Sequence, residues 1–225
     1  MAKVSSTLLK DSLTDLQRRY DDHTARIAFV GYRDLDCKTS LNSEYEGLFL
    51  DFVDDVENFS NHLNQIEAFG GNSGLSRIEP FDKYDLCEDI IYGFEKVNTL
   101  SWNNFTKLIV HIADYPSHGN KYNGGKPDRY PYLQPDFKSE LQKFHNKGIH
   151  YHFYKITKHT DKMISEFRKE APENMVIKES DCFEITNLAD TLKFTATFSM
   201  AKVADDEMTK GNCGLVDFLG GKNTK

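Results

Sequence analysis

TKLIVHIADYPSHG, residues 106–119, is the stretch on which the fold turns. Leu108, Ile109, Val110 and Ile112 make an apolar, largely β-branched run that reaches Ala113 and Asp114 before Pro116 and Gly119 break it. Such a run reads as a buried strand with an acidic side chain presented where it ends. In open α/β sheets ligands collect at the carboxyl ends of the strands, so Asp114 stands where binding or chemistry is expected. The plainer reading of the same residue is an Asp that opens a turn ahead of Pro116.

Upstream of that strand, residues 85–97 carry Leu86, Ile90, Phe94 and Val97 on one helical face. Residues 54–66 do the same with Val56, Phe59, Leu63 and Ile66, and Asp54 and Asp55 sit at the N-terminus where acids suit the helix dipole. This helix ends at Gly70-Gly71, and the chain is irregular from there to about Lys83. RIAFVGY, residues 26–32, is a near-continuous apolar strand expected to be covered on both faces, with Arg33 and Asp34 at its end. LFLDF, residues 48–52, follows a polar, turn-rich link and reads as an antiparallel edge strand. Residues 4–20 space Leu9, Leu13, Leu16 and Tyr20 as an amphipathic helix.

Downstream, residues 115–135 form a loop rich in Gly, Pro, Asn and Tyr, of a length that goes with function or mobility. Residues 137–146 make a short helix stopped by Gly148, and IHYHFYKI (149–156) alternates as a strand with one less apolar face. Thr160-Asp161 cap a helix bearing Met163, Ile164 and Phe167, which Pro172 ends. A last short strand is expected at 175–177, a last helix at 187–201 and a disordered polar tail over 204–225. Strands alternating with helices define an α/β protein whose mostly parallel sheet is covered on both faces.

Composition narrows the function. A chain of 225 residues with 39% hydrophobic content and mean hydropathy of -0.59 is long enough for one substantial core. Its net charge of -7, with no local basic cluster, argues against nucleic-acid binding. Cys37, Cys87, Cys182 and Cys213 are scattered without metal-finger spacing, which fits reduced thiols in the cytoplasm. No apolar run reaches the roughly 18 residues of a membrane span, and the first twenty residues lack a signal-peptide core.

Catalytic motifs are sparse. Gly70-Gly71 follows a helix rather than a strand, and no phosphate-binding loop ending in Gly-Lys-Ser/Thr occurs. His111, Asp114 and His118 gather around one strand end and raise the reading of a metal-dependent hydrolase. However, His111 and Asp114 are three apart on a strand and so point to opposite faces. His111 then reads as a satisfied histidine within the sheet and His118 as a loop residue. His150 and His152 share a strand face and could bind a metal, but an amphipathic strand face packed by a helix is the better account of them.

Six stretches occur together and in order: AFVGYRD (28–34), LDFVDDVENF (50–59), GGNS (70–73), CEDIIYGFEKV (87–97), HIADYPSHG (111–119) and TDKMISEF (160–167). In this combination the chain resembles von Willebrand factor A-type domains, specifically the intracellular branch found beside alpha-kinase catalytic domains. The resemblance spans residues 1–203 and implies a Rossmann-like fold. The top edge of that fold carries a metal-ion-dependent adhesion site, usually holding Mg²⁺, that binds a partner's carboxylate. It implies that Asp114 is the third-loop aspartate and Ser73 the second-loop hydroxyl, a hard donor that suits Mg²⁺. Asp34 and Asn72 then stand on the partner-binding rim.

The first part of the site, a D-x-S/T-x-S loop after the first strand, is absent. In this family that strand lies between the strands at 26–32 and 106–113. Without it each would leave backbone groups unpaired at about 1–3 kcal/mol apiece. We expect either that Met1 is an internal methionine of a longer protein or that the chain is a degenerate copy. Residues 74–86 are an insertion beside the metal loop, and no alpha-kinase catalytic domain occurs within the 225 residues. The expected function is a non-catalytic protein-interaction module with an incomplete Mg²⁺ site. The alternative is a regulatory or targeting fragment of an alpha-type protein kinase.

Overall fold

Strand β3, Lys107–Ala113, runs parallel to β4, Ile149–Lys155, over its whole length, from Lys107 opposite Ile149 to Ala113 opposite Lys155. The computed structural model to which these strands belong describes residues 26–35, 49–66, 85–103 and 106–181. The expected helices at 4–20 and 187–201, the stretch holding Asn72 and Ser73, and the 204–225 tail lie outside the described residues. On its other side β4 pairs in parallel with β5, Ile177–Asp181, giving the order β3-β4-β5. A second sheet pairs β1, Ile27–Val30, antiparallel with β2, Phe49–Val53, with an irregularity between Ile27 and Phe29. The fold is α/β and Rossmann-like, with the antiparallel edge that the short link before residue 48 predicts.

The helices form where the apolar periodicity places them. They are α1, Val56–Gln65; α2, Ile90–Thr99; α3, Phe137–Asn146; and α4, Asp161–Glu170. Asp55, Asp89 and Asp136 each accept a hydrogen bond from a first-turn N–H of α1, α2 and α3. Such a cap stabilises a helix by about 1 kcal/mol. α2 starts later than expected: Asp85–Glu88 lie outside the helix, and the Asp89 carboxylate caps it by accepting from Tyr92 N at 3.4 Å. Thr160 does not cap α4; its hydroxyl donates instead to the Thr157 carbonyl at 3.2 Å. β5 is longer than the 175–177 segment and begins where that segment ends.

The core lies between β3-β4-β5 and the helices α2, α3 and α4. Phe94, Phe137, Phe144, Tyr151, Phe153 and Phe167 fill it, and nearly every one touches Phe94. β4 corrects the alternation argument, because both of its faces are buried. His152 and Tyr154 lie on its second face and are buried by pairing: the rings stack at 4.4 Å, and His152 Nε2 meets Ser180 Oγ at 3.0 Å. A polar aromatic side chain with a partner can leave water.

β3 itself is only half-buried over Lys107–Val110, and β1 is half-buried throughout, so neither is the fully covered strand its sequence predicts. The reason is topological. β1 and β3 belong to different sheets, and no described strand pairs between them. Side chains span that divide instead. Tyr32 Oη lies 2.8 Å from His111 Nε2, and Asp51 accepts from the Ser101 amide at 3.0 Å and hydroxyl at 2.6 Å. Arg26 donates to the carbonyls of Phe52 and Ser101, and Phe52 meets Trp102 edge-on at 4.7 Å.

Candidate functional site

At the carboxyl end of β3 the chain turns at Asp114 and enters a loop that is well organised rather than loose. Pro116, Ser117, His118, Gly119, Tyr122 and Asn123 are all buried. Gly119 has φ 98, and a Cβ there would lie 2.5 Å from the Leu133 carbonyl, so only glycine makes the turn. The Asp128 carboxylate organises the loop: it accepts from the amides of Gly119 (2.8 Å) and Tyr130 (2.8 Å) and from Asn123 Nδ2 (3.1 Å).

Backbone bonds join two further segments to this loop. Glu88 N donates to the Pro116 carbonyl at 3.0 Å, and His118 N donates back to Glu88 O at 3.3 Å. Asp89 N donates to Arg33 O at 3.2 Å, and Leu86 N to Pro127 O at 3.1 Å. The end of β1, the approach to α2 and the 114–128 loop thus converge on His118. Its Nδ1 donates to Asp128 Oδ1 at 2.9 Å and lies 3.9 Å from Asp85 Oδ1. Its Nε2 is 3.3 Å from Asp34 Oδ1, within ion-pair range but off the axis of a hydrogen bond.

The charges follow from this packing. Burial acts to lower the His118 pKa, but the Asp34 and Asp128 carboxylates and the charge of Asp85 outweigh it and hold it at about 9. Glu88 is pushed up to about 8, by burial first and then by Asp34 and Asp114. Burial raises Asp85 as well, with Asp34 and Asp128 adding to it. Burial and the same carboxylates drive the Cys87 thiol far above its usual range, so it is a protonated thiol and no nucleophile.

Asp114, singled out from sequence, is exposed at the strand end, and its carbonyl accepts the Thr157 hydroxyl. Asp34, expected on an open rim, is instead only 6% exposed because His118 covers it. His111 is the satisfied sheet histidine that its position predicts. It lies between Tyr32 Oη (2.8 Å) and Tyr151 Oη (2.6 Å), and burial lowers its pKa to about 3. His118 is not the plain loop residue of the sequence reading. Asp85, Cys87, His118 and Asp128 each offer one ligand-type atom, and these atoms all lie within 4.8 Å of one another. Only the D-x-C spacing of Asp85 and Cys87 hinted at this in the sequence.

The fold and this strand-end site define an α/β protein that gathers polar groups at the carboxyl edge of a parallel sheet. Alpha-protein kinase vwkA of Dictyostelium discoideum is 27% identical to this chain over 170 residues. Those residues are 73% of this chain and 23% of the kinase, so the chain spans less than a quarter of that relative's length. No protein-family profile matches the chain. No described helix is long and apolar enough to cross a membrane.

Proposed function

We propose that this chain is a non-catalytic protein-interaction module of the von Willebrand factor A type, acting in the cytoplasm through an incomplete metal-ion-dependent adhesion site. Asp114 and the Ser73 hydroxyl would hold Mg²⁺, with Asn72 on the rim, and a partner protein's carboxylate completes the shell. The carrying observation is the exposed Asp114 at the end of β3, close enough to the half-buried Glu88 to raise its pKa. Carboxylates crowded at one strand edge are all-oxygen donors, the chemistry a hard divalent cation requires. The protonated Cys87 thiol and the buried, neutral His111 support the non-catalytic reading, since neither supplies an accessible nucleophile or base.

A second reading is a regulatory or targeting segment of an alpha-type protein kinase. It is favoured by the similarity to vwkA over a small part of that kinase. A kinase domain in the same reading frame would favour it over a free-standing module.

The test of the metal-dependent reading is thermal unfolding with and without millimolar Mg²⁺. It compares the 225-residue chain with a version carrying an added N-terminal strand and D-x-T-G-S loop. Mg²⁺ is expected to raise the midpoint of the extended version, because a ligand that binds only the native state stabilises it by mass action. Asp114→Ala should abolish that rise. A cooperative transition in both forms that ignores Mg²⁺ would sink the adhesion-site reading.

A further inference from the structure

We infer that Asp85, Cys87, His118 and Asp128 form a zinc site, separate from Asp114, that staples the 115–135 loop to the approach to α2. The inference does not rest on the adhesion-site reading. Its first support is geometric: four ligand atoms of four residues lie within 4.8 Å of one another. A tetrahedral Zn²⁺ with bonds of about 2.0–2.3 Å sets its ligands about 3.3–3.7 Å apart, so small side-chain rotations close the shell. The second support is independent of the clustering. The Asp85 side chain is 5% exposed; its Oδ1 accepts from Cys87 N at 3.1 Å and lies 3.9 Å from His118 Nδ1, and its Oδ2 is buried with no hydrogen-bond partner. A buried carboxylate oxygen with no partner is costly unless a proton or a cation meets it, and a cation among the three neighbouring ligand atoms would do so.

The donor set selects the metal. One sulfur, one imidazole nitrogen and two carboxylate oxygens suit Zn²⁺, whereas Mg²⁺ takes oxygens alone. On binding, the Cys87 S–H proton and the His118 Nδ1 proton leave to solvent, and the cation replaces the His118–Asp128 hydrogen bond. A metal-bound thiol is deprotonated outright, so the high affinity of the free Cys87 for its proton is overcome by the ion's own charge. All four ligands come from the protein and their side chains are nearly covered, and four protein ligands fill a tetrahedral shell with no position left for a substrate water. The site is therefore structural, and its role is to hold the loop from which Asp114 projects.

The test uses the full chain, stripped with a chelator and titrated with Zn²⁺ or with Co²⁺ as a spectroscopic stand-in. One equivalent should bind, the Co²⁺ form should display thiolate charge transfer and tetrahedral ligand-field bands, and Zn²⁺ should raise the unfolding midpoint. A Cys37→Ser/Cys182→Ser/Cys213→Ser variant should keep all three signals. Cys87→Ala should lose the charge-transfer band. The near-isosteric Asp85→Asn should weaken Zn²⁺ by more than the about 10–100-fold that outer partners of a ligand command. A folded parent chain that binds no zinc would overturn the inference. So would zinc binding that survives Cys87→Ala and Asp85→Asn, or that vanishes in the triple cysteine variant while that variant remains folded.

Discussion

Strands β3, β4 and β5 are tied by two parallel ladders and seated on an aromatic core, whereas among the described strands β1 and β2 pair with each other and reach the first sheet through side chains. In the larger sheet, backbone pairing and apolar burial act on the same residues, so its stability is shared among many contacts. In the smaller one, the described links to the rest of the fold are mainly polar, Tyr32 to His111, Arg26 to the 101–103 segment and Asp51 to Ser101, with the Phe52–Trp102 ring contact beside them. Each such hydrogen bond contributes only about 0.5–1.5 kcal/mol net. The comparison predicts two levels of local stability in one chain, with β1-β2 opening below the cost of global unfolding. Asp34 follows β1 and Asp114 follows β3, so the strand-end site straddles the divide.

The largest effect is expected where the first region is densest. Phe94 touches Phe137, Phe144, Tyr151 and Phe167 with ring centroids 5.0–5.8 Å apart. Phe94→Ala should cost about 3–5 kcal/mol, a large share of the 5–15 kcal/mol that holds a typical domain together. Urea unfolding should record a fall in midpoint with both sheets lost together. Loss of β1-β2 alone would mean that the core does not unify the molecule.

The next effect is at the joint itself. His111 is neutral and buried between two phenols, with its pKa lowered to about 3 against 6.5 in the unfolded chain. Above pH 6.5 both states are neutral and its contribution is complete. As the pH falls below 6.5 the unfolded chain takes up a proton that the native state refuses, and stability declines by up to about 1.4 kcal/mol per pH unit until about pH 3. His152, lowered to about 4 by burial and by Lys178, acts in the same direction. Glu88, raised to about 8, acts in the opposite one, because its native form holds a proton that the unfolded chain has lost. The His111 share is therefore read as a difference: His111→Gln keeps a donor and an acceptor and should flatten the acid slope between pH 6 and pH 4. An unchanged slope would mean that His111 does not carry the acid sensitivity of the joint.

Much of this arrangement is legible locally. The run ending at Asp114 announces β3, and the spacing of Phe137, Leu141 and Phe144 announces α3 within the bounds observed. The family resemblance implies that a strand is missing between β1 and β3, and the described strands form two sheets. What local pattern does not carry is convergence. Asp34, Asp85 and the loop holding His118 and Asp128 lie in separate stretches, which read in turn as a strand-end rim acid, the start of a helix and loop residues. Only the backbone bonds from Leu86, Glu88 and Asp89 to Pro127, Pro116 and Arg33 bring them together. β4 misleads for a related reason: alternation reports polarity, and His152 and Tyr154 are polar yet buried because Ser180 and each other satisfy them.

The smallest effect is expected at Gly93, where helix propensity and packing oppose each other. Gly93 lies inside α2, where replacing glycine by alanine ordinarily stabilises a helix by about 0.8–1 kcal/mol. A Cβ at this position would lie 2.8 Å from Tyr32 Cδ1, in the stretch that links β1 to His111. Tyr32 must then shift, and overpacking of this kind costs about 1–3 kcal/mol. The net loss in Gly93→Ala is expected to be about 1 kcal/mol, felt almost wholly by β1-β2. Native-state hydrogen exchange should therefore speed up at Ile27–Val30 and Phe49–Val53 while Ile149–Lys155 keeps its protection. If β4 loosened equally, the two sheets would form one cooperative unit and the polar joint would be as strong as a backbone ladder. If the variant were simply more stable, helix propensity would outweigh the Tyr32 contact, and the position of β1 would be set by α1, which packs against β1-β2.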